Sequence, residues 1–205
     1  MNPACSPACT HIVDDDEAIR DALEWLFKTR GVSCRTWPSG ERFLEAWQPD
    51  WRGCIVLDIR MQGMSGLECF DTLLARGCQL PVIFITGHGD VPMAVSALKK
   101  GAFHFIEKPF NDHDLVDLVE KALAADRDRQ RVAASRETIE ARLATLTQRE
   151  REVMELILEG KYNKVIADDL SISMRTVEAH RSRIFDKMDV RSAVELAQLL
   201  TVLRT

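Results

Sequence analysis

Five residues in the first half of the chain have types and separations suited to one piece of chemistry: Asp14, Asp15, Asp58, Thr86 and Lys108. Each stands at the end of a short apolar run. His11-Ile12-Val13 leads into Asp14 and Asp15, Cys54-Ile55-Val56-Leu57 into Asp58, Val82-Ile83-Phe84-Ile85 into Thr86, and the run ending at Ile106 into Lys108. If these runs are parallel strands, their ends converge on one rim, and three carboxylates, a hydroxyl and an ammonium share a pocket. Carboxylates that close raise one another's pKa unless a cation neutralises them. Hard oxygen donors favour Mg2+ or Mn2+, held octahedrally with waters retained. A carboxylate beside such a cation suits phosphoryl transfer to Asp, because the cation offsets charge on the entering phosphoryl oxygens. Lys108 would pair with the incoming group and Thr86 would hydrogen-bond to it. Acidic residues at strand ends often do no more than solvate loops, but five such groups at one rim argue against that reading.

The segments between these residues are the elements that must position them. Ile19, Ala22, Leu23, Leu26 and Phe27 recur at helical spacing, closed by Gly31. Ser65-Gly66-Leu67-Glu68 is a capping box that opens a helix ended by Gly77. Asn111 starts a last amphipathic helix with Leu115, Leu118, Val119 and Ala122 on one face. Cys54 to Leu57 is a continuous apolar run, as expected of a strand covered on both faces. Five such strand–helix repeats predict an α/β fold, a doubly wound five-stranded parallel sheet, with ligands at the carboxyl ends of the strands.

Residues 124–146 contain no Gly or Pro and predict a helical linker. Val132, Ile139, Leu143 and Leu146 follow one another at intervals of 7, 4 and 3, a seam compatible with a solvated helix or a short dimerising coil. The remainder reads as short helices only. Thr147-Gln148-Arg149-Glu150 is a second capping box, Gly160 a stop, and Asn163–Leu170 a short helix. Ser171-Ile172-Ser173 is a tight connection to a helix from Met174 to Met188, and Ser192 opens a fourth helix. A short helix, a three-residue turn and a longer polar helix make a helix-turn-helix pattern. The expected domains are 8–124, a linker over 125–145, and an all-α four-helix domain over 146–205.

With 205 residues, 46% hydrophobic and 29% charged, the chain can bury the cores of two small domains. The formal charge of −5 is uneven: −6 over residues 1–125, +1 over 126–146 and zero over 147–205. Total charge therefore gives no sign of nucleic-acid binding, but the tail is far less acidic than the first domain. No apolar run approaches the roughly 18 residues that span a bilayer. Met1–Thr10 lacks the basic and apolar regions of a secretory signal. The six cysteines, Cys5, Cys9, Cys34, Cys54, Cys69 and Cys78, show no zinc-ligand spacing and suit a reducing cytoplasm. Cys5 and Cys9 are expected in an unstructured lead-in.

Four stretches carry a family resemblance: Ile12-Val13-Asp14-Asp15-Asp16, Val56-Leu57-Asp58-Ile59-Arg60-Met61, Ile85-Thr86-Gly87-His88-Gly89-Asp90 and Phe105-Ile106-Glu107-Lys108-Pro109-Phe110. They resemble two-component receiver domains, whose fold is flavodoxin-like. The separations also match: 43 from Asp15 to Asp58, then 28 to Thr86 and 22 to Lys108. The tail, from Leu146-Thr147-Gln148-Arg149-Glu150 through Arg175-Thr176-Val177-Glu178-Ala179-His180-Arg181, resembles the LuxR-type helix-turn-helix. Together they look like a response regulator of the NarL/FixJ class. The resemblance implies Asp58 as phosphoacceptor. It implies Asp15, Asp58 and the Arg60 carbonyl as direct ligands of Mg2+ (or Mn2+), with Asp14 acting through water. It further implies Thr86 and Phe105 as a switch pair, Lys108 as the phosphate-contacting lysine, and Lys108-Pro109 as a cis peptide. The partners implied are a sensor histidine kinase, promoter DNA, RNA polymerase and, on phosphorylation, a second copy of the chain. The family usually carries Pro where this chain has Gln62. Because Pro restricts the backbone, Gln62 predicts a more mobile loop and an altered phosphoryl lifetime. His88 is expected in a loop.

In the tail, Arg175, Glu178, Ala179, Ser182 and Asp186 share one helical face, with Val177, Ile184 and Met188 opposite. The resemblance makes Glu178, Ala179 and Ser182 base readers. Glu accepts from cytosine N4, and Ala touches the thymine methyl. Lys164, Arg175, Thr176, His180, Arg181 and Lys187 complete the predicted interface, most of them as phosphate contacts. A competing class is a metal-dependent phosphohydrolase with Asp58 as nucleophile. Such enzymes place an acid two residues on, where this chain has Arg60, and a DNA-binding tail has no use there. The chain is therefore not expected to be a turnover enzyme. A receiver that signals without phosphorylation has no need for all five rim residues.

Overall fold

The structure is a computed structural model that describes residues 7–87 and 91–203, so Cys5 and His88 lie outside the described residues. The chain forms two compact units, divided between Arg129 and Gln130. From the N-terminus, strands and helices alternate: β1 (Cys9–Val13), α1 (Glu17–Thr29), β2 (Cys34–Trp37), α2 (Gly40–Ala46), β3 (Gly53–Asp58), α3 (Gly66–Ala75), β4 (Val82–Thr86), α4 (Val91–Lys99), β5 (His104–Glu107) and α5 (Asp112–Ala144). The strands pair in parallel in the order β2-β1-β3-β4-β5. Cys9 opens β1 and so is not part of an unstructured lead-in.

Register brings the chemistry together. Val13 pairs with Leu57, so Asp14 emerges beside Asp58. Asp58 pairs with Ile85 and Thr86 with Glu107, which brings Thr86 and Lys108 out at the same rim. β3 and β4 are buried along their whole length, as the apolar runs require of strands covered on both faces. One apolar layer gathers Phe43, Phe70, Leu73 and Phe84 on the α2–α3 side. The other gathers Leu23, Phe27, Leu115 and Val119 under α1 and α5. Each such side chain contributes about 1.5–3 kcal/mol on burial. Asp16, Ser39 and Ser65 cap α1, α2 and α3 through their side-chain oxygens, with the Ser65–Glu68 box complete.

α5 runs 33 residues, so the expected helical linker continues the last receiver helix without a break, because nothing between 124 and 146 breaks a helix. Within the first unit, buried Asp126 accepts from the Gly53 N–H at 3.0 Å and from the Arg129 guanidinium, pinning this helix to the start of β3. The apolar seam divides. Ile139 and Leu146 are buried in the core of the second unit with Leu143 beside them, whereas Val132 is 51% exposed. Three of its four positions are thereby used within this chain's own second unit.

That unit continues with α6 (Gln148–Leu158), α7 (Asn163–Asp169), α8 (Met174–Met188) and α9 (Ala193–Thr201). The Thr147–Glu150 capping box opens α6, and Ser173 and Ser192 cap α8 and α9. Val153, Ile157, Ile166, Val177, Ile184 and Met188 form its core. The turn from α7 to α8 closes through the Ile172 N–H on the Ala167 carbonyl at 2.9 Å.

Candidate functional site

At the carboxyl rim of the sheet, the Lys108 ammonium lies 3.2 Å from Asp14 Oδ2 and 3.4 Å from Asp58 Oδ2. Asp14, Asp15 and Asp58 each bring a carboxylate oxygen to within 4.8 Å of the others. Asp14 is held from two sides. Its Oδ1 accepts from the Asp16 N–H at 2.9 Å, and its carbonyl accepts from the Arg20 guanidinium at 2.8 Å. Burial pushes the Asp58 carboxyl above its usual value; Lys108 opposes that rise and the charge of Asp14 adds to it. Three carboxylates against one ammonium leave a negative excess. Hard oxygens at this spacing are the donors a small divalent cation takes, so the residues fit such an ion.

Thr86 is fully buried, and its hydroxyl donates to the Gly87 carbonyl at 3.2 Å. Phe105 pairs with Phe84 across the strands, which puts it on the same sheet face as Thr86, half-buried against the first apolar layer. The Lys108 N–H donates to the Thr86 carbonyl at 2.8 Å, and the Lys108-Pro109 peptide is cis.

The segment leading from Asp58 to α3 is tied down amide by amide. Ile59 N–H reaches the Ile85 carbonyl, and Gly66 N–H returns to the Ile59 carbonyl at 2.9 Å. Gln62 N–H donates to Asp15 Oδ2 at 2.8 Å, Met64 N–H to Glu41 Oε1 at 2.8 Å, and Ser65 N–H to Glu68 Oε2 at 2.9 Å. Two glycines are required here. A Cβ on Gly66 would lie 2.0 Å from the Asp58 carbonyl oxygen, and Gly63 has φ +76° with Glu41 Oε1 crowding its Cβ position.

In the second unit, α8 presents Arg175, Thr176, Glu178, Ala179, Ser182, Arg183 and Asp186 to solvent, while Val177, Ile184 and Met188 are buried. Lys164 on α7 is exposed. The Arg181 guanidinium lies over the Phe185 ring, 5.4 Å from its centroid. His180 is half-buried, and its Nδ1 has no hydrogen-bond partner. Lys187 departs from expectation. Its ammonium sits 2.7 Å from Glu150 Oε2 and 3.0 Å from the Thr145 carbonyl, so in this structure it serves the unit's own fold.

The family models for the response regulator receiver domain and for bacterial regulatory proteins of the luxR family match residues 10–120 and 144–200. This chain belongs to the response regulators. The C4-dicarboxylate transport transcriptional regulatory protein DctR of Rhodobacter capsulatus is 52% identical over 191 residues, covering 92% of this chain and 97% of that protein. The transcriptional regulatory protein FixJ of Azorhizobium caulinodans is 44% identical over 189 residues, covering 92% and 90%. Among solved structures, response regulator StyR is similar at TM-score 0.86 and 39% identity, covering 95% of this chain and 98% of that one. Full-length FixJ from B. japonicum is similar at TM-score 0.60 and 37% identity, covering 96% and 97%.

A response regulator of this kind joins a receiver to a LuxR-type DNA-binding domain, the architecture expected from the sequence. In this one, no helix among the described residues is long and apolar enough to cross a membrane. The acidic residues, Thr86 and Lys108 lie together on one rim, and the predicted DNA residues lie on α7 and α8. Sequence reasoning did not reach Glu41, Arg20 or Arg183. Arg183 was within reach, since it stands four residues after Ala179 on the exposed face. Glu41 acts on a backbone group 23 residues on and Arg20 on one six residues back, and no sequence period reports either bond. In the loop after Asp58, the Gln62, Met64 and Ser65 amides are bonded to Asp15, Glu41 and Glu68.

Proposed function

We propose that this response regulator takes a phosphoryl group from a sensor histidine kinase onto Asp58 and thereby controls promoter binding by its tail. The observation that carries the reading is Lys108, whose ammonium stands between the carboxylates of Asp14 and Asp58 beside Asp15. An Asp58 oxygen attacks the phosphorus of a phosphohistidine. The new P–O bond forms as the P–N bond breaks, and the bonding pair returns to the imidazole nitrogen. Asp14, Asp15, Asp58 and the Arg60 carbonyl would hold Mg2+ or Mn2+, which offsets charge on the phosphoryl oxygens when bound. Lys108 supplies the second positive charge. The Thr86 hydroxyl turns from Gly87 toward the phosphoryl oxygens, and Phe105 fills the space it leaves.

In the tail, Glu178, Ala179 and Ser182 read bases, while Lys164, Arg175, Thr176, His180 and Arg181, joined by Arg183, hold phosphates. The regulator works in the cytoplasm as a homodimer when phosphorylated, contacts RNA polymerase at its promoters, and turns over no external substrate. The test is labelling with acetyl phosphate. One phosphoryl group should be added only with Mg2+ present, and none to Asp58→Asn. Equal labelling of Asp58→Asn at the same rate would sink the assignment.

A further inference from the structure

The family's usual proline has no N–H, whereas Gln62 has one, and it is used. That N–H donates to Asp15 Oδ2 at 2.8 Å, so the loop that follows the phosphoacceptor grips a carboxylate of the acidic pocket. We propose that the Gln62 backbone amide is a positioning group for the divalent-cation site, orienting the Asp15 carboxylate beside Asp14 and Asp58. The proposal rests on the reading of this pocket as the cation and phosphoacceptor site.

Three arguments support it. A carboxylate on an exposed turn is free to rotate, and a charge-assisted bond from a fixed donor removes that freedom before the ion arrives. The loop that carries the donor is held further on as well: Met64 N–H by Glu41, and Ser65 N–H by Glu68. A ligating carboxylate whose other oxygen is hydrogen-bonded is the usual design of oxygen-donor metal sites, and loss of such a partner typically weakens metal binding by about 10–100-fold. The loop and the cation are therefore linked through Asp15. Order in the loop favours the ion, and by reciprocity the ion favours order in the loop. A proline would restrict the loop's backbone without reaching Asp15, so this chain combines two tasks in one amide.

The experiment measures Mg2+ binding to the full chain by titration calorimetry, with no phosphodonor present. Gln62→Pro removes the N–H, and Gln62→Ala removes the side chain but keeps it. Gln62→Pro is expected to raise the Mg2+ Kd about tenfold, and Gln62→Ala to stay within about twofold of the natural chain. A Gln62→Pro chain that binds within twofold of the natural one overturns the proposal, as does a Gln62→Ala chain weakened equally. Should Gln62→Pro not fold, amide exchange in the 15N-labelled chain decides. Asp15→Ala should speed exchange at Gln62 about tenfold or more while Met64, held by Glu41, stays protected. Unchanged exchange at Gln62 would overturn the assignment. Failure of the underlying reading looks different: a natural chain that binds no Mg2+ removes the cation site altogether. A chain that binds Mg2+ but is never labelled on Asp58 leaves the Gln62 comparison intact.

Discussion

The ammonium of Lys187, near the end of α8, lies 2.7 Å from the carboxylate of Glu150 in the first turn of α6. Glu150 is buried, and its other ties are to the N-terminus of its own helix. Its Oε2 accepts from the Thr147 N–H at 2.8 Å, and the Thr147 hydroxyl accepts from the Glu150 N–H. The hydrogen bond from Lys187 is the main cause that draws the Glu150 pKa down to about 2, with the Thr147 N–H next. One capping residue thus joins two helices of the DNA-binding unit, and a lysine that resembles a phosphate contact becomes part of the fold.

Lys187→Met should therefore destabilise the second unit by about 2 kcal/mol, since it leaves a buried charge without its strongest partner. The pH dependence follows from the sign of the shift. A carboxyl held below its ordinary 4.5 contributes stability that is present above that value and is lost as pH falls toward about 2. Denaturation curves collected between about pH 5 and pH 2 should fall less steeply for Lys187→Met than for the natural chain. Parallel curves would mean that the ion pair contributes nothing.

Base reading and phosphate holding separate in a second set of variants. Glu178→Gln or Ser182→Ala should change the preference among operator bases by about 1–3 kcal/mol per lost contact. Arg181→Ala or Arg183→Ala should weaken all sequences alike and lower the salt slope by about one unit each. Binding titrations on an operator series at several salt concentrations give both quantities. Altered base preference in Arg181→Ala, with only uniform loss in Glu178→Gln, would reverse the roles.

The parts legible in the sequence were those written as periods and short-range signals. Apolar runs ending in Asp14, Asp58 and Thr86 fixed strand ends, and parallel register then dictated a shared rim. The Ser65–Glu68 and Thr147–Glu150 boxes are four-residue patterns, and both formed. The illegible parts are bonds between residues distant in sequence. Nothing local distinguishes Lys187 from a solvent-facing lysine, or announces that Glu41 will hold the Met64 amide. The seam of Val132, Ile139, Leu143 and Leu146 shows a further limit. Its spacing reports an apolar face but not which surface covers it, and most of it went into the second unit's own core.

Removing one anionic ligand should raise the cation requirement without abolishing acceptance. Asp15→Asn keeps the hydrogen-bonding shape near Gln62 but loses a charge, so half-maximal labelling of Asp58 should need about tenfold more Mg2+ or above. Labelling rates across a Mg2+ series test this. An unchanged Mg2+ midpoint would show that Asp15 does not contribute to the cation site.

Phosphorylation is expected to drive dimerisation of the first unit, and through it DNA binding. Thr86 and Phe105 share a sheet face next to α4 and β5, and the Thr86 hydroxyl is now turned to Gly87. A phosphoryl group on Asp58 adds about −1.5 to −2 charge, which Lys108 and Thr86 engage, and that movement lets Phe105 turn inward and reshape the face. Two receivers joined there bring two tails to two half-sites and raise the effective concentration at the operator. Because Ile139, Leu143 and Leu146 pack within the second unit, the receiver face rather than the α5 seam is the expected dimer contact. Sedimentation of the Mg2+-loaded chain with and without a beryllofluoride phosphoryl mimic should show a monomer become a dimer. A chain that stays monomeric with the mimic at tens of micromolar, yet binds operator tightly, would refute dimer-driven activation and favour release of the tail from an inhibitory contact.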